Sequence, residues 1–271
     1  RPHAPRRPAV SELLLALLPT RIEYAALFLA RVLALVSIAP VFGTASPWTG
    51  HKLALSVAMT AVLLPAVGDP RWHGPEFGAA LVPLVARELI VGTFLGAVVV
   101  AAFSAVRAAG ELIGSEMGLN LSSVLDPTSG APSPTTATLY QTLAGLLFLS
   151  LGAHRWVIAG LASSFERVPV GTFEIGPEPV AGALRLARGL LEGGLVLGAP
   201  LLVTLFLVTV ALGLLARAVP QLNVLDVGYA LRVAAALGAL VLLLPATRVG
   251  IESIFDSMRH GLMTAFPARP R

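Results

Sequence analysis

The sequence predicts an all-α membrane protein built as a bundle of about six apolar, partly broken helices arranged as hairpins. Three observations predict it. Of 271 residues, 56% are hydrophobic, the mean hydropathy is +0.82 and only 13% are charged. A soluble domain of this size keeps about a quarter of its residues charged. Too few polar groups remain to cover a globule, so lipid or a large partner surface replaces water over much of the exterior. The length suits one domain, and no polar stretch is long enough to form a second.

The apolar segments run roughly over 24–42, 53–67, 79–106, 137–162, 180–216 and 227–247. A spanning helix needs about 20 apolar residues. Only 89–106 and 193–216 come near that length without a charge, and 53–67 is short. The remaining segments carry Arg31, the adjacent Arg87 and Glu88, His154 with Arg155, and Arg232. Such charges are costly in lipid and face protein or a water-filled path. The plainer alternative, which suits about half of them, is a place at a segment end from which the side chain reaches the interface.

The net charge is +4, and Lys52 is the only lysine. Arg1, Arg6, Arg7 and Arg21 lie before or at the first segment, and Arg248, Arg259, Arg269 and Arg271 follow the last. Basic flanks of this kind report orientation toward the cytoplasm rather than binding to nucleic acid. An even number of crossings puts both ends on that side, unless some segments are hairpins that do not cross. The expected organisation is a basic tail over 1–20, a helical domain over 21–250 and a cytoplasmic tail over 251–271. Residues 13–18 are too few for a signal-peptide core, so none is expected.

Glycine spacing suggests where helices meet. Gly110, Gly114 and Gly118 repeat every four residues, as do Gly92 with Gly96, Gly189 with Gly193 and Gly194 with Gly198. Small residues so spaced let backbones approach where hydrophobic burial gives little drive. The alternative is chance in a sequence rich in Ala and Gly.

Two polar interruptions break the apolar pattern. The first covers 110–130, with Pro132 and Pro134 beyond it. Its early part reads as helix, with Arg107 and Glu111 spaced to pair. Its later part is a loop, because Pro127 disfavours helix at Asp126, and Gly130 and two prolines follow. The second covers 217–226, where Pro220 ends or kinks the preceding helix. Gln221, Asn223 and Asp226 can satisfy the backbone groups freed there. Taken singly, either interruption could be an ordinary connecting loop.

Several chemistries have no residues to carry them. Without cysteine there are no disulfides, thiolate metal sites or iron–sulfur clusters. The single lysine follows Gly50 and His51 rather than a phosphate-binding glycine loop. His3, His51, His73, His154 and His260 are scattered, and no nucleophile elbow occurs. Glu111 and Glu116 stand five residues apart, on different faces of a helix. The sequence thus points to conduction, assembly or scaffolding, with no enzyme and no cofactor.

Six motifs carry a resemblance. They are Ala39-Pro-Val-Phe-Gly43, Ala86-Arg-Glu-Leu-Ile-Val-Gly92, Gly110-Glu-Leu-Ile-Gly-Ser-Glu-Met-Gly-Leu-Asn-Leu121, Asp126-Pro-Thr-Ser-Gly130, Ser164-Phe-Glu-Arg-Val-Pro-Val-Gly171 and Pro220-Gln-Leu-Asn-Val224. In this order, over about 20–250, the chain resembles the FliR family, a core subunit of the flagellar type III protein-export gate, with injectisome homologues as nearest relatives. Gly114-Ser-Glu-Met-Gly-Leu119 is similar to the flagellar form, although flagellar relatives usually carry Gln where this chain has Glu116. The resemblance implies a non-enzymatic subunit of the bacterial inner membrane and flagellar basal body. It implies partners of the FliP, FliQ and FlhB types in a staggered, helical gate, with unfolded flagellar subunits in transit. It also implies that a loop of this subunit blocks the closed complex.

The residues at 110–130 suit such a plug. Gly110, Gly114, Gly118, Gly130 and the serines lower the cost of rearrangement, and Ile113, Met117, Leu119 and Leu121 supply apolar contacts for a seal. Glu116, Asp126 and Pro127 complete the candidate segment. The alternative is helix packing with no moving part. Arg31, Arg87, Glu88, Arg107 and Glu111, with Pro220, Gln221 and Asn223, are the candidates for structure and assembly. Two rival classes are a small-solute secondary transporter, which also uses broken helices, and a scaffold with no pore-lining role.

Overall fold

A computed structural model describes residues 10–42, 49–67, 81–118, 135–174, 176–218 and 224–266, and the architecture over them is helical. The helices are α1 (Val10–Ile38), α2 (Thr49–Val67), α3 (Leu81–Glu116), α4 (Thr135–Ser150), α5 (Ala153–Arg167), α6 (Pro177–Ala218), α7 (Val224–Leu242) and α8 (Leu244–Thr264), with a short 3₁₀ turn at Pro40–Phe42. The chain is an all-α membrane protein. Among the described residues, Gly50–Val67, Leu81–Glu116 and Val180–Ala218 are each long and apolar enough to cross a bilayer. Two bent pairs add up to two more spans: α4 with α5 at 71°, and Ala230–Leu242 with α8 at 66°. Arg21, Glu23 and Arg31 all lie on α1, which is not among these spans.

The helices depart from the apolar segments in three places. α1 starts at Val10, inside the stretch expected as a basic tail, and α3 runs ten residues past the apolar limit at 106. α8 continues to Thr264, through most of the stretch expected as a C-terminal tail. Ile251, Ile254, Phe255, Met258 and Leu262 are buried there at helical spacing, which mean hydropathy conceals because Arg248, Glu252, Asp256 and Arg259 lie between them.

The chain divides into two compact units. The first comprises 1–97, 158–183 and 262–271. In it α1 crosses α3 in backbone contact. A side chain on Gly92 would collide with the Arg31 carbonyl oxygen and lie 2.8 Å from Ala34 Cβ, and one on Gly96 would lie 3.1 Å from Ile38 Cβ. The glycine pair is thus a helix crossing, as its spacing suggested. Phe28 of α1 stacks on Phe165 of α5 with centroids 3.7 Å apart, and Phe266 meets Phe94 and Phe173 edge-on at 5.7 and 6.0 Å.

The second unit comprises 98–157 and 184–261. Its core is built on Phe103, Phe148 and Phe255, with centroids 5.4 to 5.5 Å apart. Rings packed in this way hold the core by van der Waals contact, since lipid is as apolar as they are. Gly194 of α6 packs on α3, since a Cβ there would lie 2.6 Å from the Ala105 carbonyl oxygen. Gly198 faces Ala109 of the same helix, whereas Gly189 meets nothing. The 194/198 pair marks a contact and the 189/193 pair does not act as one.

Candidate functional site

Two arrangements stand out, one in each unit. In the first unit, Arg31 is completely buried among apolar residues of α1, yet all three of its guanidinium nitrogens donate. Nε donates to Glu88 Oε2 of α3 at 2.6 Å, Nη1 to Ser164 Oγ of α5 at 3.2 Å and Nη2 to the Val168 carbonyl oxygen at 3.0 Å. The guanidinium also lies over the Phe165 ring, 4.3 Å from its centroid. Glu88 is equally buried, and its second oxygen accepts the Gly171 N–H at 2.7 Å. Arg87 donates to the Gly171 carbonyl oxygen at 3.1 Å.

The cluster therefore joins α1, α3 and the turn after α5. Gly171 has φ of +79°, a left-handed conformation that favours glycine, and both of its backbone groups are held by the adjacent Arg87 and Glu88. Two buried charges are tolerable only with such complete hydrogen bonding. With no exposed atom, this pair cannot meet a substrate; it fastens three elements together.

Sequence reading singled out Arg31, Arg87 and Glu88 as charges at depth, and the structure brings all three together. It had no signal for Ser164 or the Val168 carbonyl as partners of Arg31. Ser164 and Val168 do lie in one of the motifs quoted above, which ends at Gly171. Glu23, two turns before Arg31 on α1, is also buried, and its Oε2 has no hydrogen-bond partner. Among the other charges at depth, Arg155 is exposed at the start of α5, and His154 Nδ1 and Arg232 Nε are buried without partners.

In the second unit, α3 continues through Gly110 and ends at Glu116. Met117 N–H donates to the Ile113 carbonyl oxygen at 2.9 Å and Gly118 N–H to that of Ser115 at 3.0 Å, closing a turn in which Gly118 has φ of +78°. Gly110 lies against the first turn of α4, where a Cβ would come within 2.8 Å of Ala137 Cα and the Thr136 carbonyl oxygen. Ile113, Gly114 and Met117 share that inward face and are buried, whereas Leu112, Ser115 and Glu116 point outward and are exposed. Arg107 Nε donates to Glu111 Oε1 at 2.8 Å, and both side chains are nearly half exposed. Leu119, Leu121, Asp126, Pro127 and Gly130, like Pro220, Gln221 and Asn223, lie outside the described residues.

The stem of the candidate plug is thus a two-faced helix end. Its inner face is held by its own chain, and its outer face is available to whatever lies beyond. Among the described residues, no three His, Asp or Glu side chains come together as metal ligands.

Comparison with known proteins adds an independent line. Residues 22–258 match the family described as bacterial export proteins, family 1. The chain is 35% identical to the flagellar biosynthetic protein FliR of Pectobacterium carotovorum subsp. carotovorum, over 84% of this chain and 87% of that protein. It is 32% identical to the protein of the same name from Escherichia coli (strain K12), over 85% and 87%. The surface presentation of antigens protein SpaR of Salmonella typhimurium (strain LT2) is 29% identical over 63% of each chain.

Proposed function

This chain belongs to the family of bacterial export proteins, family 1, and from that premise we propose that it is a core, non-enzymatic subunit of a flagellar type III protein-export gate. The observation that carries the proposal is the likeness to flagellar biosynthetic FliR proteins over more than four fifths of the chain. The likeness to SpaR covers less of the chain and supports an injectisome gate as the second reading. We place the gate domain at 21–250, in the bacterial inner membrane. Its proposed neighbours are FliP-type and FliQ-type subunits, with an FlhB-type subunit and unfolded flagellar proteins in transit.

The geometry of α3 supports a division of labour within the plug. Gly110 seats the stem against α4, the buried Ile113, Gly114 and Met117 hold its inner face, and the segment from Gly118 to Gly130 closes the channel with Leu119 and Leu121. Leu112, Ser115 and Glu116 form the stem's outward face. Arg31 with Glu88 fixes the first unit as a rigid mount. Hydrophobic contacts of this kind hold a pore shut by excluding water, and a glycine turn lets the seal move at small cost. Removing the gene should abolish both motility and flagellar subunit export, and this chain supplied in trans should restore both. Export that persists without the gene, or restored secretion of injectisome substrates alone, overturns the flagellar proposal.

A further inference from the structure

One exposed face of α6 changes character along its length. Arg185, Arg188 and Glu192, then Val196, Val203, Phe206, Val210 and Leu214, and finally Arg217 follow one another three, four or seven residues apart, so they form one exposed stripe. Its apolar part, from Val196 to Leu214, is about 27 Å long at about 1.5 Å per residue. That matches the roughly 30 Å hydrocarbon core of a bilayer. The step between Glu192 and Val196 therefore marks the edge of that core, for lipid and for covering helices alike.

The packing of the second unit carries this level to two more helices. Leu186 of α6 meets α8, where a Cβ on Gly261 would lie 2.5 Å from its Cδ1, and Gly193 meets Ile254 two turns back along α8. Arg259 lies between these two contacts, level with Arg188. Its guanidinium stands over the Trp156 ring of α5, 5.2 Å from the centroid. Arg155, next to that tryptophan, is exposed and folds back over the bend, where a Cβ on Gly152 would lie 2.8 Å from its Nη2. Before the bend, Leu146 and Leu149 of α4 are exposed, so here too arginine follows an apolar face.

Four arginines, Arg155, Arg185, Arg188 and Arg259, thus share one level with two carboxylates, Glu192 and Asp256. Glu192 pairs with Arg188, and among the described residues no ion pair reaches Arg155, Arg185 or Arg259. Farther along α8, Arg248 is neutralised by Glu252. Tryptophan at the edge of an apolar layer lies at headgroup depth, and guanidinium beside it can bond phosphate through two N–H groups. A zwitterionic headgroup leaves the surplus positive charge unanswered, whereas an anionic one answers it.

We propose that Arg155 and Arg259, set beside Trp156, bind the phosphate of an anionic phospholipid at this boundary. The proposal requires a membrane protein and makes no use of the export gate.

The test takes the full chain with its copurifying subunits in mild detergent. Electron paramagnetic resonance then measures the relative binding of spin-labelled phosphatidylglycerol and phosphatidylcholine. The parent should prefer phosphatidylglycerol. Arg155→Gln and Arg259→Gln should each cut that preference about fivefold, the effect of one arginine at a charged membrane surface. Arg248→Gln, which removes the same charge from a paired residue, should keep the parent's preference. Raising the salt should erase the preference of the parent, because these arginines are exposed. No preference in the parent, a preference indifferent to salt, or an equal loss in Arg248→Gln overturns the proposal. Loss of copurifying subunits from Arg259→Gln with the lipid preference intact overturns it as well, and assigns the surface to an acidic protein partner. None of these results bears on the gate assignment, which has its own test.

Discussion

Replacing Glu88 with leucine should be among the most damaging single changes in the first unit, and its cost follows from the geometry. Arg31 is wholly buried, and among the described residues Glu88 is its one carboxylate partner. Without Glu88 the guanidinium stays in an apolar core with only neutral acceptors, and the Gly171 N–H loses its acceptor as well. Breaking a buried pair by removing one member costs about 3–5 kcal/mol. At about 2–4 °C per kcal/mol for a chain of this size, the thermal midpoint should fall by about 6–20 °C. Adding Arg31→Met should restore most of it, since an apolar replacement of the whole pair is often neutral. Melting curves in mild detergent for the parent, Glu88→Leu and the double variant make the comparison. A single variant that melts within about a degree of the parent, or a double variant worse than the single, refutes the fastening role.

Two further predictions come from this structure, and a third from the sequence around Pro220. Glu111→Gln should lower the midpoint by about 2 °C or less, because its pair with Arg107 is exposed and worth about 0.3–0.5 kcal/mol; a fall of several degrees more would mean that the pair is covered in the assembly. Gly118→Asp puts a side chain and a charge on a left-handed residue at the end of the stem, at about 1–2 kcal/mol for the backbone alone. That variant and a deletion of 115–122 should assemble yet leak ions across the membrane, as ion-flux measurements on cells would show, and assembly with an intact barrier would remove the plug. Asn223→Leu should lower complex yield by leaving backbone groups unsatisfied beside Pro220, at about 1–3 kcal/mol; unchanged yield and motility would count against that break as an assembly contact.

How much of this was legible in the sequence depended on the range of the signal. Fold class was legible, because apolar excess and low charge are properties of composition. The crossing at Gly92 and Gly96 was legible from spacing alone, and so was the local pair of Arg107 and Glu111. The partner of Arg31 was not, because Glu88 lies 57 residues away and Ser164 lies 133 away. Nothing local distinguishes a charge that fastens helices from one that reaches the membrane surface. The end of α8 was missed for a different reason: its inward apolar stripe is diluted by charged residues on the outer face, so hydropathy falls while the helix continues. At the stem, apolar character suggested that Ile113 and Met117 form a seal. Periodicity with Gly110 puts them on the buried face of α3, and burial alone does not say whether that face also seals a channel.

The central claim is that this chain is a gate subunit that works only with other subunits. Its partly broken spans and exposed apolar helix faces, such as Leu195, Val196, Val203 and Phe206 on α6, call for covering helices. The most direct test is to tag the chain at its native level, extract it in mild detergent and identify by mass spectrometry what copurifies in a single sized peak. The account predicts one large complex containing FliP-type and FliQ-type subunits, and a poorly stable chain when it is expressed alone. A monodisperse, stable monomer that ignores both would contradict it.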